Sequence, residues 1–122
     1  RKTESFRCIE CIALKSLEGS PRYSSGVFDC SSCTALTSLE GGPDKVGRDY
    51  TCIGCASLKS LKGAAKEVGK GFFCSECTSL TTLEGAPKKV KDFFVCRDCK
   101  TQFSIEDVKA VTNVANEKLI RC

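Results

Sequence analysis

The residues of this chain that could do chemistry are its cysteines. There are eleven among 122 residues, and ten of them fall into five C-x-x-C units. The first members are Cys8, Cys30, Cys52, Cys74 and Cys96; the second are Cys11, Cys33, Cys55, Cys77 and Cys99. Both series advance by 22 residues at every step. Three states fit that pattern. Neighbouring units read as C-x2-C-x18-C-x2-C, within the spacing of four-thiolate zinc sites. In that alternative the ten are the candidate ligands, eight of them filling two sites and one pair left spare. If successive units stack as parallel strands, Cα atoms lie about 4.8 Å apart, inside the disulfide range. Turned inward and reduced, the same thiols act as small hydrophobes. Haem attachment needs a histidine after C-x-x-C, and the chain has none. Thioredoxin-like exchange expects one exposed pair at a helix start, not five on strands.

The surrounding residues favour the third state. An aromatic stands two residues before each first cysteine: Phe6, Phe28, Tyr50, Phe72 and Phe94. Aromatic-x-Cys alternates with the period of a strand, so both side chains face one way. Leucines follow at Leu14, Leu36, Leu58 and Leu80, then at Leu17, Leu39, Leu61 and Leu83. Gly19, Gly41, Gly63 and Gly85 come next, with Pro21, Pro43 and Pro87, and Ala65 in the third copy. Gly-x-Pro ends each apolar stretch in a turn. Val46, Val68 and Val90 lead back to the next strand. A 22-residue unit is too small to fold alone, but stacked copies bury one another's apolar columns. Five coils make a rod about 20–25 Å long.

The repeats run over 6–27, 28–49, 50–71, 72–93 and a partial copy at 94–103, after a polar extension at 1–5 that is expected to fray. The last copy departs from the pattern. Ser104-Ile105-Glu106-Asp107 reads as a capping box, and Ile105, Val108, Val111, Ala115 and Leu119 follow at mostly helical spacing. Residues 104–122 are therefore expected to form a capping helix, spanning about 105–120, over the open end of the stack. No equivalent cap precedes the first coil, so its edge is expected to be bare or to meet a partner. Cys122 is left over from the pairs.

Tyr50-Thr51-Cys52-Ile53-Gly54-Cys55-Ala56-Ser57-Leu58 resembles the cysteine form of the leucine-rich repeat, L-x-L-x-x-C-x-x-L. With its L-T-S-L-E-G-x-P-x-x-V return, the unit is similar to the short leucine-rich repeats of bacteriophage and bacterial proteins, over residues 6–100. It departs in carrying cysteine where leucine is usual, and in placing Val46 and Val68 one position early. The resemblance implies a right-handed, curved, leucine-rich-repeat-like β-solenoid with short parallel strands, and a binding role. It carries over no catalytic residue.

Other readings are weaker. The residues after the second cysteines are Ile12, Thr34, Ala56, Thr78 and Lys100, none of them the glycine common in zinc knuckles. Ser31, Ser32, Thr34 and Thr37 lack a histidine to activate them. Lys88, Lys89 and Lys91 form a basic cluster, but equivalent positions include Asp44 and Glu67, which disfavours nucleic acid. Net charge is +4 from mixed signs, which speaks for solubility and for no particular partner. No apolar run reaches the roughly 18 residues of a membrane span, and no signal peptide opens the chain. The absence of methionine reads as processing or as a piece of a longer protein. Reduced cysteines suit an intracellular site or an assembled virion.

These observations together predict a non-enzymatic interaction or structural module, without cofactor, whose partner is another protein. Asp29, Thr51, Phe73 and Val95 form one outward column and Ser32, Gly54 and Glu76 another, with apolar Phe73 and Val95 the first candidates for contact. Self-association through the N-terminal edge is a second mode. A zinc module using the C-x-x-C pairs is the alternative. Odd and even copies also alternate, Ile9 and Ile53 with Ser31 and Ser75, and Lys15 and Lys59 with Thr37 and Thr81. This 44-residue superperiod fits either a paired function or duplication of a two-coil unit.

Overall fold

The computed structural model describes residues 4–122. The chain is a β-solenoid of about five turns, each roughly 22 residues long. Each turn contributes one two-residue strand to each of two parallel sheets. The first sheet contains β1 (Phe6–Arg7), β3 (Phe28–Asp29), β5 (Tyr50–Thr51), β7 (Phe72–Phe73), β9 (Phe94–Val95) and β11 (Ile120–Arg121), stacked in that order. The second contains β2 (Tyr23–Ser24), β4 (Lys45–Val46), β6 (Glu67–Val68), β8 (Lys89–Val90) and β10 (Asn113–Val114). Register is strict: Phe28 pairs Tyr50, which pairs Phe72, which pairs Phe94.

The sequence columns become the core. Phe28, Tyr50, Phe72 and Phe94 are fully covered, and the rings from Phe6 to Phe94 stack with centroids 5.0–5.4 Å apart. Each such neighbour adds about 0.5–1.5 kcal/mol beyond the burial of area. Leu36, Leu39, Leu58, Leu61 and Leu80 fill the rest of the cross-section. Tyr50 alone brings a hydroxyl into this ladder, and the oxygen finds no hydrogen-bond partner among the described residues. The glycine after the second leucine has a stricter reason to be glycine. Gly41 has φ of 89°, and a Cβ there would sit 2.6 Å from the Glu18 amide nitrogen of the preceding coil. Backbone is stacked on backbone with no room for a side chain.

The C-terminal segment corrects the sequence reading. The helix α1 spans only Ile105–Lys109. Its capping box is present: the Asp107 amide donates to Ser104 Oγ at 3.1 Å, and the Ser104 amide to Asp107 Oδ2 at 2.9 Å. Beyond Ala110 the chain returns to strand, first as β10 beside β8, then through the 3-10 turn Glu117–Leu119 into β11 beside β9. A helix to residue 120 would have left the polar edges of β8 and β9 without partners. Ile120 pairs Phe94 in register, so Ile120-Arg121-Cys122 is a sixth copy of the aromatic-x-Cys rung. Cys122 is therefore part of the ladder, not a remainder.

At the other end β1 and β2 have no described element outside them. Glu4 and Ser5, expected to fray, are tied down: the Gly26 amide donates to the Glu4 carbonyl at 2.6 Å and the Val27 amide to Ser5 Oγ at 3.0 Å. The rest of the polar extension, residues 1–3, lies outside the described part. Among the described residues no helix is long and apolar enough to cross a membrane.

Candidate functional site

The strands end after two residues, so each C-x-x-C unit is a turn following a strand. Its third residue takes a left-handed conformation in every copy: Glu10, Ser32, Gly54, Glu76 and Asp98 have φ between 58° and 74°. Only Gly54 does so freely; elsewhere the cost is on the order of 1 kcal/mol or more. This bend turns both cysteines of each unit toward the core. It also corrects one sequence expectation, since Ser32, Gly54 and Glu76 are turn residues and not strand positions. Ser32 and Gly54 are half-buried there, and Glu76 is exposed.

Inside, the cysteines pair differently from their spacing in sequence. Each second cysteine donates its S–H to the carbonyl of the first cysteine one coil earlier: Cys33 to Cys8 at 2.9 Å, Cys55 to Cys30 at 3.1 Å, Cys77 to Cys52 at 3.2 Å and Cys99 to Cys74 at 3.1 Å. The thiols themselves meet along the same diagonal. Cys30 hydrogen-bonds Cys55, Cys52 hydrogen-bonds Cys77, and Cys74 hydrogen-bonds Cys99. The contact skews ionisation. Cys30, Cys52 and Cys74 are pushed well above the ordinary thiol range by that hydrogen bond and by burial. Cys55 is lowered by accepting it, and Cys99, which is half-exposed, is pulled down to about 7. For Cys99 the hydrogen bond from Cys74 leads, helped by the Cys77 backbone and opposed by burial and by Asp98.

The two ends differ from the middle. Cys8 is bonded to Cys11, with Cα atoms 5.9 Å apart, and the Cys33 sulfur lies within 4.8 Å of both of theirs. This is the one place among the described residues where three or more potential ligand atoms gather so closely. At the C-terminal end Cys96 is bonded to Cys122, with Cα atoms 4.6 Å apart. Cys96, Arg97, Asp98, Cys99, Gln102 and Cys122 line a recess of about 460 Å³.

The expected outer column is real as an alignment. Arg7, Asp29, Thr51, Phe73, Val95 and Arg121 are consecutive register partners across the first sheet. Asp29, Thr51, Phe73 and Val95 are all half-buried, and the Phe73 ring lies over the Cα of Gly71. The more exposed apolar side chains are at the first coil: Ile12 at 70%, Tyr23 at 52% and Ile9 at 48%. On the second sheet Lys45 and Glu67 stand 3.7 Å apart in the column that continues to Lys89, so that stripe changes sign along the stack.

Half of the 44-residue alternation has a structural explanation. In even coils Ser31 Oγ accepts from the Ile53 amide at 3.2 Å, and Ser75 Oγ from the Arg97 amide at 3.1 Å. Just ahead of the odd-coil strands β1 and β5 the bridge stands at the other flank, with Ser5 Oγ accepting from the Val27 amide and Asp49 Oδ1 from the Gly71 amide, both at 3.0 Å. Each strand pairing of the first sheet from β1–β3 to β7–β9 thus carries such a bridge to a backbone N–H on one flank. Lys15, Thr37, Lys59 and Thr81 are exposed, and nothing in the structure explains their alternation.

Compared with known proteins, the chain matches no family model, no curated protein and no solved structure. Its chemistry must be read from its own geometry. The diagonal thiol pairs and Cys122 were missed by reading the cysteines as local C-x-x-C units. The signal for Cys122 was present as Ile-x-Cys at the chain's end.

Proposed function

We propose that the chain is a non-enzymatic protein-interaction or structural module, of the kind its leucine-rich-repeat resemblance implies, working within a larger assembly. One observation carries this reading: a single outer column, from Arg7 through Asp29, Thr51, Phe73 and Val95 to Arg121, holds register across all six rungs. A stacked backbone of this kind presents side chains at a fixed pitch with little entropy left to lose on binding. The side chains with the richest chemistry, the cysteines, point the other way. The partner is another protein contacting this face, with the first coil, where Ile9, Ile12 and Tyr23 are exposed, as a second surface for self-association.

A photo-crosslinking residue placed at Thr51 or Phe73 tests the assignment, with Lys45 and Glu67 on the opposite sheet as controls. The expected outcome in native extracts is one recurrent adduct from the first pair and none from the controls. Equal labelling from both faces would sink the reading.

A metal-binding reading keeps one specific support, the three sulfurs of Cys8, Cys11 and Cys33. As thiolates they offer three of the four positions that zinc takes. This moves the alternative from two four-cysteine sites to one three-cysteine site. Metal analysis of the reduced chain decides it: one zinc lost on Cys33→Ser supports the site, and no zinc in wild type removes it.

A further inference from the structure

Seven cysteines are free thiols: Cys30, Cys33, Cys52, Cys55, Cys74, Cys77 and Cys99. Six of them form the three diagonal contacts, Cys30 with Cys55, Cys52 with Cys77 and Cys74 with Cys99. In each contact the second cysteine is also held against the carbonyl of the first, at 3.1–3.2 Å. Both side chains of a pair are therefore already turned toward each other across the coil junction. We propose that these three pairs are disulfide-forming sites that take a low-molecular-weight disulfide such as oxidised glutathione, tying each coil to the next. With the Cys8–Cys11 and Cys96–Cys122 bonds already in place, the oxidised solenoid holds five disulfides. The odd thiol is then Cys33, beside Cys8 and Cys11, and not the terminal Cys122.

The reaction starts at Cys99, the one half-exposed member of the three pairs. Its thiolate attacks one sulfur of oxidised glutathione. The glutathione S–S bond breaks, a protein–glutathione bond forms, and the leaving glutathione thiolate takes a proton from solvent. Cys74 then gives its proton to solvent and attacks the Cys99 sulfur, expelling the second glutathione thiolate, which is protonated in turn. Two protein thiols and one oxidised glutathione become one protein disulfide and two reduced glutathiones. The other two pairs are fully buried and react only when their coils open, so they follow more slowly.

The experiment uses the full folded chain with chelator, incubated with oxidised glutathione, quenched in acid and mapped by non-reducing peptide mass spectrometry. The expected result is loss of two hydrogens per new bond, with Cys74–Cys99 linked first and Cys30–Cys55 and Cys52–Cys77 later. The thermal midpoint of the oxidised chain rises by about 10 °C, since each bond closes a long loop. Bonds inside the C-x-x-C turns, such as Cys30–Cys33, would overturn the proposal. So would glutathione that stays on Cys99 unresolved, or thiols that remain unreacted. Cys55→Ala should delete the Cys30–Cys55 link alone; scrambling of the other two would count against fixed pairs. If that variant does not fold, the wild-type map decides by itself.

Discussion

Phe94, near the C-terminal end of the stack, is fully covered, whereas its counterpart Phe6 at the N-terminal end is only half-buried. The repeat supplies the same aromatic at both places, so the difference lies in the chain beyond each ring. After Phe94 the chain abandons the repeat, inserts the one-turn helix α1, and returns with Ile120 on the ring's open side. Before Phe6 the described residues Glu4 and Ser5 are tied back through backbone and hydroxyl bonds. A coil is thus closed by a sixth rung of lower fidelity, which keeps only the in-register strand and its cysteine. The other end leaves Ile9, Ile12 and Tyr23 exposed beside the half-covered Phe6.

A matched truncation of the two rings puts that contrast under the greatest strain. Phe94→Ala is expected to cost about 3–5 kcal/mol in chemical denaturation, and Phe6→Ala about 2 kcal/mol, because that ring is partly wet already. Equal costs would mean the ends are covered alike. Thiol reactivity separates the two ends as well. A Cys99 thiol pulled down to about 7 ionises as pH rises through neutrality, so its alkylation rate should level off by about pH 8. Cys33, pushed up by burial, should label only after unfolding. A Cys99 rate still climbing beyond about pH 9 would contradict the hydrogen bond from Cys74. A smaller effect is expected at the helix that leads into the closing rung: Ser104→Ala removes the acceptor for the Asp107 amide and should cost about 1 kcal/mol. The smallest is Ile12→Ser, expected to stay within about 0.5 kcal/mol, since the side chain is 70% exposed. A larger loss there would show that the first coil is not bare.

Much of the solenoid was legible because each repeat column has one job. Phe, Cys, Leu and Val recur at fixed offsets, and every one of those columns turned inward in the interior coils. The last eighteen residues were not legible from pattern alone. The capping box at Ser104 is a genuine helix start, and Val108 and Val111 continue its period, but Thr112 and Asn113 are weak helix formers. The decisive influence was non-local, the open strand edges of β8 and β9. The cysteine partners were hidden for a related reason. Sequence places Cys30 beside Cys33, while the left-handed bend at Ser32 and the in-register stack bring Cys30 to Cys55. That diagonal exists only once the coils are assembled.

Tyr50 makes the middle of the stack optically visible. The chain has two tyrosines and no tryptophan, and Tyr23 stands in water while Tyr50 is sealed among phenylalanines. Desolvation pushes the Tyr50 phenol well above its ordinary range. In an alkaline titration followed by tyrosinate absorbance, its share of the signal therefore waits for the third coil to open. The unsatisfied phenol of the aromatic ladder acts as a built-in gauge of when that core admits water.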